Sequence, residues 1–349
     1  KYEQKSAKAM LDRLESWRAI DSTTDHEAAF LQELEAYFAG LGLACERQMV
    51  EEANPEEGRP ARWNLIATAC DDPDLLFSTH VDTVPPHLPV RREGDTLYGR
   101  GACDTKGGLL AMTVAAERLL EQGVDDFGFL LVVGEEVDHR GAKAARSLDL
   151  EPDRIILCEP TRNRVVAGQK GMIKVELRAE GRAAHSAFPD EGVSAIHRLL
   201  DALDALRTAH WPTDDLLGPT TLNVGTISGG VAANVLAPSA RAEVLYRTVS
   251  ESQPLLDRIQ AACGEGVDVD VITYNDPVEF DPPEDIPTCV VPFNTDATYL
   301  TELGAVWLVG PGDIRVAHSD DEHIERAAIE EGIERYADLA QRAIESSTK

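Results

Sequence analysis

Leu75-Leu76-Phe77-Ser78-Thr79-His80-Val81-Asp82 is a short apolar run that ends in a histidine and an aspartate two residues apart. Its length and composition predict a buried strand, and open α/β sheets bind ligands beyond the carboxyl ends of their strands. Residues i and i+2 of an extended segment point the same way, so Asp82 is expected to accept the second ring N–H of His80 and hold its tautomer. The pattern recurs. Phe129-Leu130-Leu131-Val132-Val133-Gly134 delivers Glu135 and Glu136, and Ile155-Ile156-Leu157-Cys158 delivers Glu159. Val306-Trp307-Leu308-Val309 is followed by Gly310-Pro311-Gly312 and, a few residues on, His318. Taken singly, a His-x-Asp is a strand-end turn and a pair of glutamates is a solvated loop. Four apolar strands discharging imidazole and carboxylate at the same end predict an α/β sheet with a site along that edge.

The chemistry of the set is that of a two-metal hydrolytic centre. Zinc and similar divalent ions take imidazole nitrogen and carboxylate oxygen, and one carboxylate can bridge a pair of ions. Asp104, in Gly99-Arg100-Gly101-Ala102-Cys103-Asp104-Thr105-Lys106-Gly107-Gly108, completes the inventory. Glu135 and Glu136 are adjacent like charges directly after an apolar strand, and such a pair needs a cation to offset it.

A pass along the 349 residues predicts two domains. Thr24 or Asp25 is placed to cap a helix through Phe30, Leu34 and Phe38 to Gly40, and Gly107-Gly108 opens another, running to Gly123. After Gly168-Gln169-Lys170-Gly171 the pattern changes to strand 172–179, helix 194–206, strands 221–227 and 240–249, helix 254–262 and strand 267–274. That βαββαβ order is a ferredoxin-like unit. Metal-type residues fall on both sides of it, which predicts an insertion at 171–278 in a catalytic domain made of 1–170 and 279–349.

With these motifs in order along essentially the whole chain, the sequence resembles the M20 family of metallopeptidases and amidohydrolases, and within it the acetylornithine and acyl-lysine deacylase branch. The resemblance implies a zinc-peptidase-like α/β catalytic domain, a mixed sheet flanked by helices, with an inserted ferredoxin-like lid and dimerisation domain. It implies His80, Glu159 and His318 as terminal ligands, Asp104 as the bridge, Glu136 as ligand to the second ion, Asp82 as the partner of His80, and Glu135 as general base. Two divalent ions per chain follow, zinc first, with cobalt or manganese as alternatives. The bond after Asp104 is expected to be cis. In Gly181-Arg182-Ala183-Ala184-His185-Ser186, the resemblance has His185 cross from a partner subunit in a homodimer to stabilise the oxyanion. Asn234, in the Gly229-Gly230 loop, Arg247, at a strand end, and Thr295 are the expected substrate contacts, Arg247 as carboxylate clamp. Asn294-Thr295-Asp296-Ala297 departs from the family, which more often has Gly before the Thr.

Composition narrows the partners. With 33 basic against 62 acidic residues the net charge is -29, which argues against nucleic acid and anionic membranes. It fits either adaptation to a salty cytoplasm or an ordinary acidic enzyme. No run of about eighteen apolar residues occurs. The start, Lys1 to Trp17, carries a helical stripe (Ala7, Met10, Leu11, Leu14) unlike a signal peptide, and lacks an initiator Met, so a short upstream piece is expected. Six scattered cysteines without Cys-x-x-Cys spacing predict reduced, packed thiols in a cytoplasmic protein.

The expected activity is removal of an acyl group, acetyl above all, from a small N-acyl amino acid such as N-acetylornithine or N-acetyllysine. The segment Gly310–Ile324 carries that likeness. A metallo-dipeptidase or aminopeptidase, or an N-succinyl-diaminopimelate desuccinylase, on the same scaffold is the alternative. A catalytically silent metal-binding protein is a third reading, opposed by Glu135.

Overall fold

The computed structural model describes residues 2–54, 56 and 58–347. Lys1 lies outside them, as does the side chain of Ala7. The chain divides into two compact units: Lys1–Ala167 with Phe280–Cys289 and Thr295–Lys349, and Gly168–Glu279 with Val290–Asn294.

In chain order the first unit opens with helices Tyr2–Ala19 (α1) and Ala28–Gly40 (α2). Strands Ala44–Glu51 (β1), Arg62–Thr68 (β2) and Leu75–His80 (β3) follow. Next come helix Lys106–Glu121 (α3), strand Gly128–Val132 (β4), helix Arg140–Ala145 (α4) and strand Arg154–Leu157 (β5). The second unit is strand Gly171–Glu180 (β6), helix Ala195–Thr208 (α5), strands Thr221–Gly229 (β7) and Ser239–Thr248 (β8), helix Ser252–Cys263 (α6) and strand Val267–Asn275 (β9). The chain then returns to the first unit for strand Ala305–Leu308 (β10) and helix Arg326–Ser347 (α7).

The first unit is built on a six-stranded mixed sheet of order β1-β2-β4-β3-β5-β10. β1, β2 and β4 pair antiparallel, whereas β4, β3, β5 and β10 run parallel. Strands buried on both faces read as continuous apolar runs, and every residue of β3 and β4 is buried. Leu11, Leu14 and Trp17 of α1 and Phe30, Leu34 and Phe38 of α2 enter this core beside Phe77 and Phe129. The N-cap expectation needs correcting: α2 starts after Glu27, which makes no side-chain cap. Glu27 is spent on buried Arg62 (Oε1 to Nη2 2.6 Å), and Thr24 donates its hydroxyl to Asp82 Oδ2 at 2.9 Å.

The second unit is an antiparallel sheet of order β7-β8-β6-β9. Ile173, Val175 and Leu177 alternate into a separate core with Ala242, Val244 and Tyr246, closed by Leu199, Leu203 and Leu206 of α5 and by Leu255 and Ile259 of α6. All six cysteines are free thiols, with Cys103 and Cys158 buried. Among the described residues no helix is long and apolar enough to cross a membrane.

Candidate active site

Because β3, β4, β5 and β10 are parallel, their carboxyl ends open at one edge of the sheet, and each expected ligand of the first unit lies on or just beyond that edge. His80 is the last residue of β3, and Glu159 lies two residues after β5. Asp104 precedes α3, whose start is set by the close approach of its glycines. A Cβ at Gly108 would lie 2.0 Å from Cys158 Sγ, and one at Gly107 2.4 Å from Ala102 O. The Asp104–Thr105 bond is cis, as expected.

The two oxygens of Asp104 face different partners. Oδ1 is 3.1 Å from His80 Nε2, which is also 3.9 Å from Glu159 Oε1. Oδ2 is 3.3 Å from His318 Nε2, which is 2.9 Å from Glu136 Oε2. Two donor sets therefore share one carboxylate: His80, Glu159 and Asp104, and His318, Glu136 and Asp104. His318, half-exposed, is held in the left-handed region at φ 63°.

The electrostatics call for cations. Burial, then Asp104 and Glu135, push the Glu159 carboxyl well above its usual range. Burial and Asp104 raise Glu136, and one Glu136 oxygen, Oε1, is buried without a hydrogen-bond partner. Burial, opposed by His139 and His80, pushes Glu135 up to about 8. Asp104 moves the other way: burial would raise it, but hydrogen bonds from His318 and His80 hold it below the usual range. For His80 burial is likewise outweighed, by Asp104 and Asp82, so its pKa rises. Four carboxylates crowded in a buried site are costly as anions unless positive charge is supplied. Divalent ions with nitrogen and oxygen ligands fit this donor set.

Asp82 faces the His80 ring and has a further part besides. His80 Nδ1 sits 2.8 Å from the Asp82 backbone carbonyl and 3.5 Å from its carboxylate, so the carbonyl is the closer tautomer-setting acceptor. The carboxylate also accepts from the backbone amides of Gly134 (2.9 Å), Glu135 (3.1 Å) and Glu136 (3.3 Å). It pins the turn that carries Glu135 and Glu136, the expected base and one expected ligand. The physical reason is the sharp turn after β4, with Gly134 at φ 78°, which directs three consecutive amides at one acceptor.

Three further groups escaped sequence reasoning. Glu322, fully buried, accepts the amides of Cys103 (3.1 Å) and Asp104 (3.2 Å) and pairs with buried Arg100 at 2.7 Å, tying the His318 segment to the Asp104 loop. His139 Nδ1 lies 2.9 Å from Asp296 Oδ1 and 3.7 Å from Glu135 Oε1. The four-residue spacing of Glu135 and His139 was the available signal. Asp296, 157 residues on, gave none. Its neighbour Thr295 is fully buried, with its hydroxyl accepting from the Ala297 amide at 3.1 Å.

Within the second unit, the loops of His185 and Asn234 come together. Ser186 donates its amide to the Asn234 carbonyl at 3.0 Å, and His185 bridges Val235. Both residues are exposed. His185 Nδ1 accepts from the Ala187 amide at 3.1 Å, which places the proton of the neutral ring on Nε2. Arg247 lies near the far end of β8, opposite Thr221 and Met172.

The model of peptidase family M20/M25/M40 matches residues 76–342, the span that holds every one of these groups. The chain belongs to that family. M20 enzymes are metal-dependent hydrolases of amide and peptide bonds, and this chain is an enzyme of that class. A Peptidase M20 domain-containing protein of Schizosaccharomyces pombe is 36% identical over 91% of this chain and 80% of its own length. A probable carboxypeptidase of Neosartorya fischeri is 38% identical over 79% and 71%. Among solved M20-like folds, a Staphylococcus aureus tripeptidase superposes with a TM-score of 0.80 at 21% identity, over 97% of this chain and 98% of its own.

Proposed function

We propose that this M20 enzyme is a two-metal hydrolase that releases a C-terminal amino acid from a short peptide or an N-acyl amino acid. The supporting observation is the split of Asp104 between two His–Glu pairs, with Glu135 beside them. In this reading His80, Glu159 and Asp104 hold one ion, and His318, Glu136 and Asp104 the other. Bound ions of this kind acidify water and polarise a carbonyl. Glu135 takes the proton of the attacking water and returns it to the departing amine, and Asp82 holds it in place through the turn amides. Both substrate types present an amide whose amine side ends in a free carboxylate, which suits Arg247 as its clamp.

Carboxypeptidase-type cleavage stands first, because relatives above 30% identity bear that name. Deacylation of N-acetylornithine or N-acetyllysine is the second reading, favoured by the Gly310–Ile324 segment. The test is a panel on protein reconstituted with zinc, cobalt or manganese: dipeptides, tripeptides, N-acetylornithine, N-acetyllysine and N-succinyl-diaminopimelate. Peptide turnover at least tenfold above that of the acyl amino acids is expected, and the reverse order selects the deacylase. Glu135→Gln should retain two ions per chain and lose about 10²–10⁴-fold in turnover. Near-normal turnover of that variant removes Glu135 as the base.

A further inference from the structure

Glu135 stands on a turn with an unusual neighbour. His139, four residues on, is 8% exposed and adopts φ 57°, a left-handed conformation uncommon for a residue with a Cβ. Its amide donates to Gly134 O at 2.8 Å, which closes the turn. The ring is then fixed by Asp296, almost fully buried just before the short helix Ala297–Leu300, through the 2.9 Å contact at Nδ1. Tyr299, from that helix, packs its ring 5.5 Å from the imidazole. The edge of the ring that meets Asp296 also faces Glu135, at 3.7 Å. A fold-only role is satisfied by the Asp296 bond alone and does not need the Nδ1 edge beside the base.

We infer that His139, held by Asp296, is a positioning residue that fixes the Glu135 carboxylate for proton transfer. The inference rests on Glu135 being the base. A glutamate carries three rotatable bonds, and a misplacement of about 1 Å in a reacting group costs on the order of 10²-fold in rate. At 3.7 Å the contact is longer than a hydrogen bond, and contacts of this kind tighten when substrate binds. Asp296 acts one step removed, by preventing the ring from turning away. The pair stands outside both donor sets shared by Asp104, so it can steer the base without disturbing the ligands.

The test uses the metal-loaded full chain and the best substrate of the panel. His139→Leu should lower kcat about 10–10²-fold, with KM and metal content unchanged. His139→Asn, whose amide N–H stands near the Nδ1 position, should recover most of that loss. Glu135→Gln combined with His139→Leu should be no slower than Glu135→Gln alone, because groups acting as a unit are not additive. A second measurement needs no turnover: in protein labelled with ¹⁵N-histidine, the His139 Nδ1–H resonance, assigned by its loss in His139→Leu, should shift in Glu135→Gln as well as in Asp296→Asn. Losses that multiply in the double variant, equal losses in the Leu and Asn variants, or a resonance that ignores Glu135→Gln would each overturn the inference. If Glu135→Gln keeps its turnover, the base assignment fails, and the resonance alone decides whether His139 holds Glu135.

Discussion

Glu322 does for the Asp104 loop what Asp82 does for the Glu135 turn. Each buried carboxylate gathers backbone amides from a loop that carries a proposed ligand, so the direction of that side chain is set by the main chain. Burial and the nearby Asp104 raise the pKa of Glu322, while Arg100 and the Asp104 amide lower it; burial and Asp104 prevail. Removing Glu322 from this buried pair leaves Arg100 without its counter-charge, with the Ser319 carbonyl at 3.3 Å as a remaining acceptor. Glu322→Ala is therefore expected to cost about 3–5 kcal/mol of stability, read from urea denaturation of the metal-free protein. A midpoint equal to the wild type's would show that the Ser319 carbonyl suffices for Arg100 and that the pair does not hold the loop.

At the scale of elements, the decisive fact is that four strand ends and one helix start share an edge. α3 begins so close to the end of β5 that Gly108 in its first turn has no room for a side chain, with Cys158 Sγ filling the space beside it. Gly108→Ala should force that thiol or the helix to move, at a cost of about 1–3 kcal/mol, the usual range for overpacking a dense core. Thermal unfolding of the two proteins side by side measures it. Smaller Cys158→Ala in the same chain should restore much of the loss, and a double variant no better than Gly108→Ala would place the strain elsewhere.

On the scale of the whole molecule, the insert poses a geometric problem. The Asn234 loop joins β7 to β8 just before Ser239, whereas Arg247 is eight residues along β8 from Ser239. At about 3.3 Å per residue, the two ends of the strand are more than about 20 Å apart. One insert is therefore badly placed to offer both Arg247 and His185 to one small substrate, and we propose that a second copy supplies His185 and Asn234. A mixture of His185→Ala and Glu135→Gln proteins, each nearly inactive, should regain up to about a quarter of wild-type activity after subunit exchange, since half the chains form mixed dimers with one complete site each. Exchange demonstrated by mass with no regained activity would return His185 to its own chain.

The sequence alone determined the class of structure and most of the candidate site. Apolar runs of strand length, each ended by imidazole or carboxylate, report both burial and polarity at once, so His80, Glu135, Glu136 and Glu159 were legible without coordinates, while Asp104 and His318 were legible from their glycine-rich motifs and the family resemblance. The βαββαβ order of the insert was legible for the same reason, since periodicity is a local signal. Tertiary structure alone decided how those side chains are held. That the Asp82 carboxylate lies closer to the turn amides than to the His80 ring depends on how sharply the chain bends at Gly134. That Glu322 grips the Asp104 loop and Asp296 meets His139 depends on segments more than 150 residues apart in sequence coming into contact. The cap of α2 was misread for the same cause, because Thr24 is drawn to Asp82 across the fold. Local pattern reports which groups reach the strand ends, and only long-range packing chooses their hydrogen-bond partners.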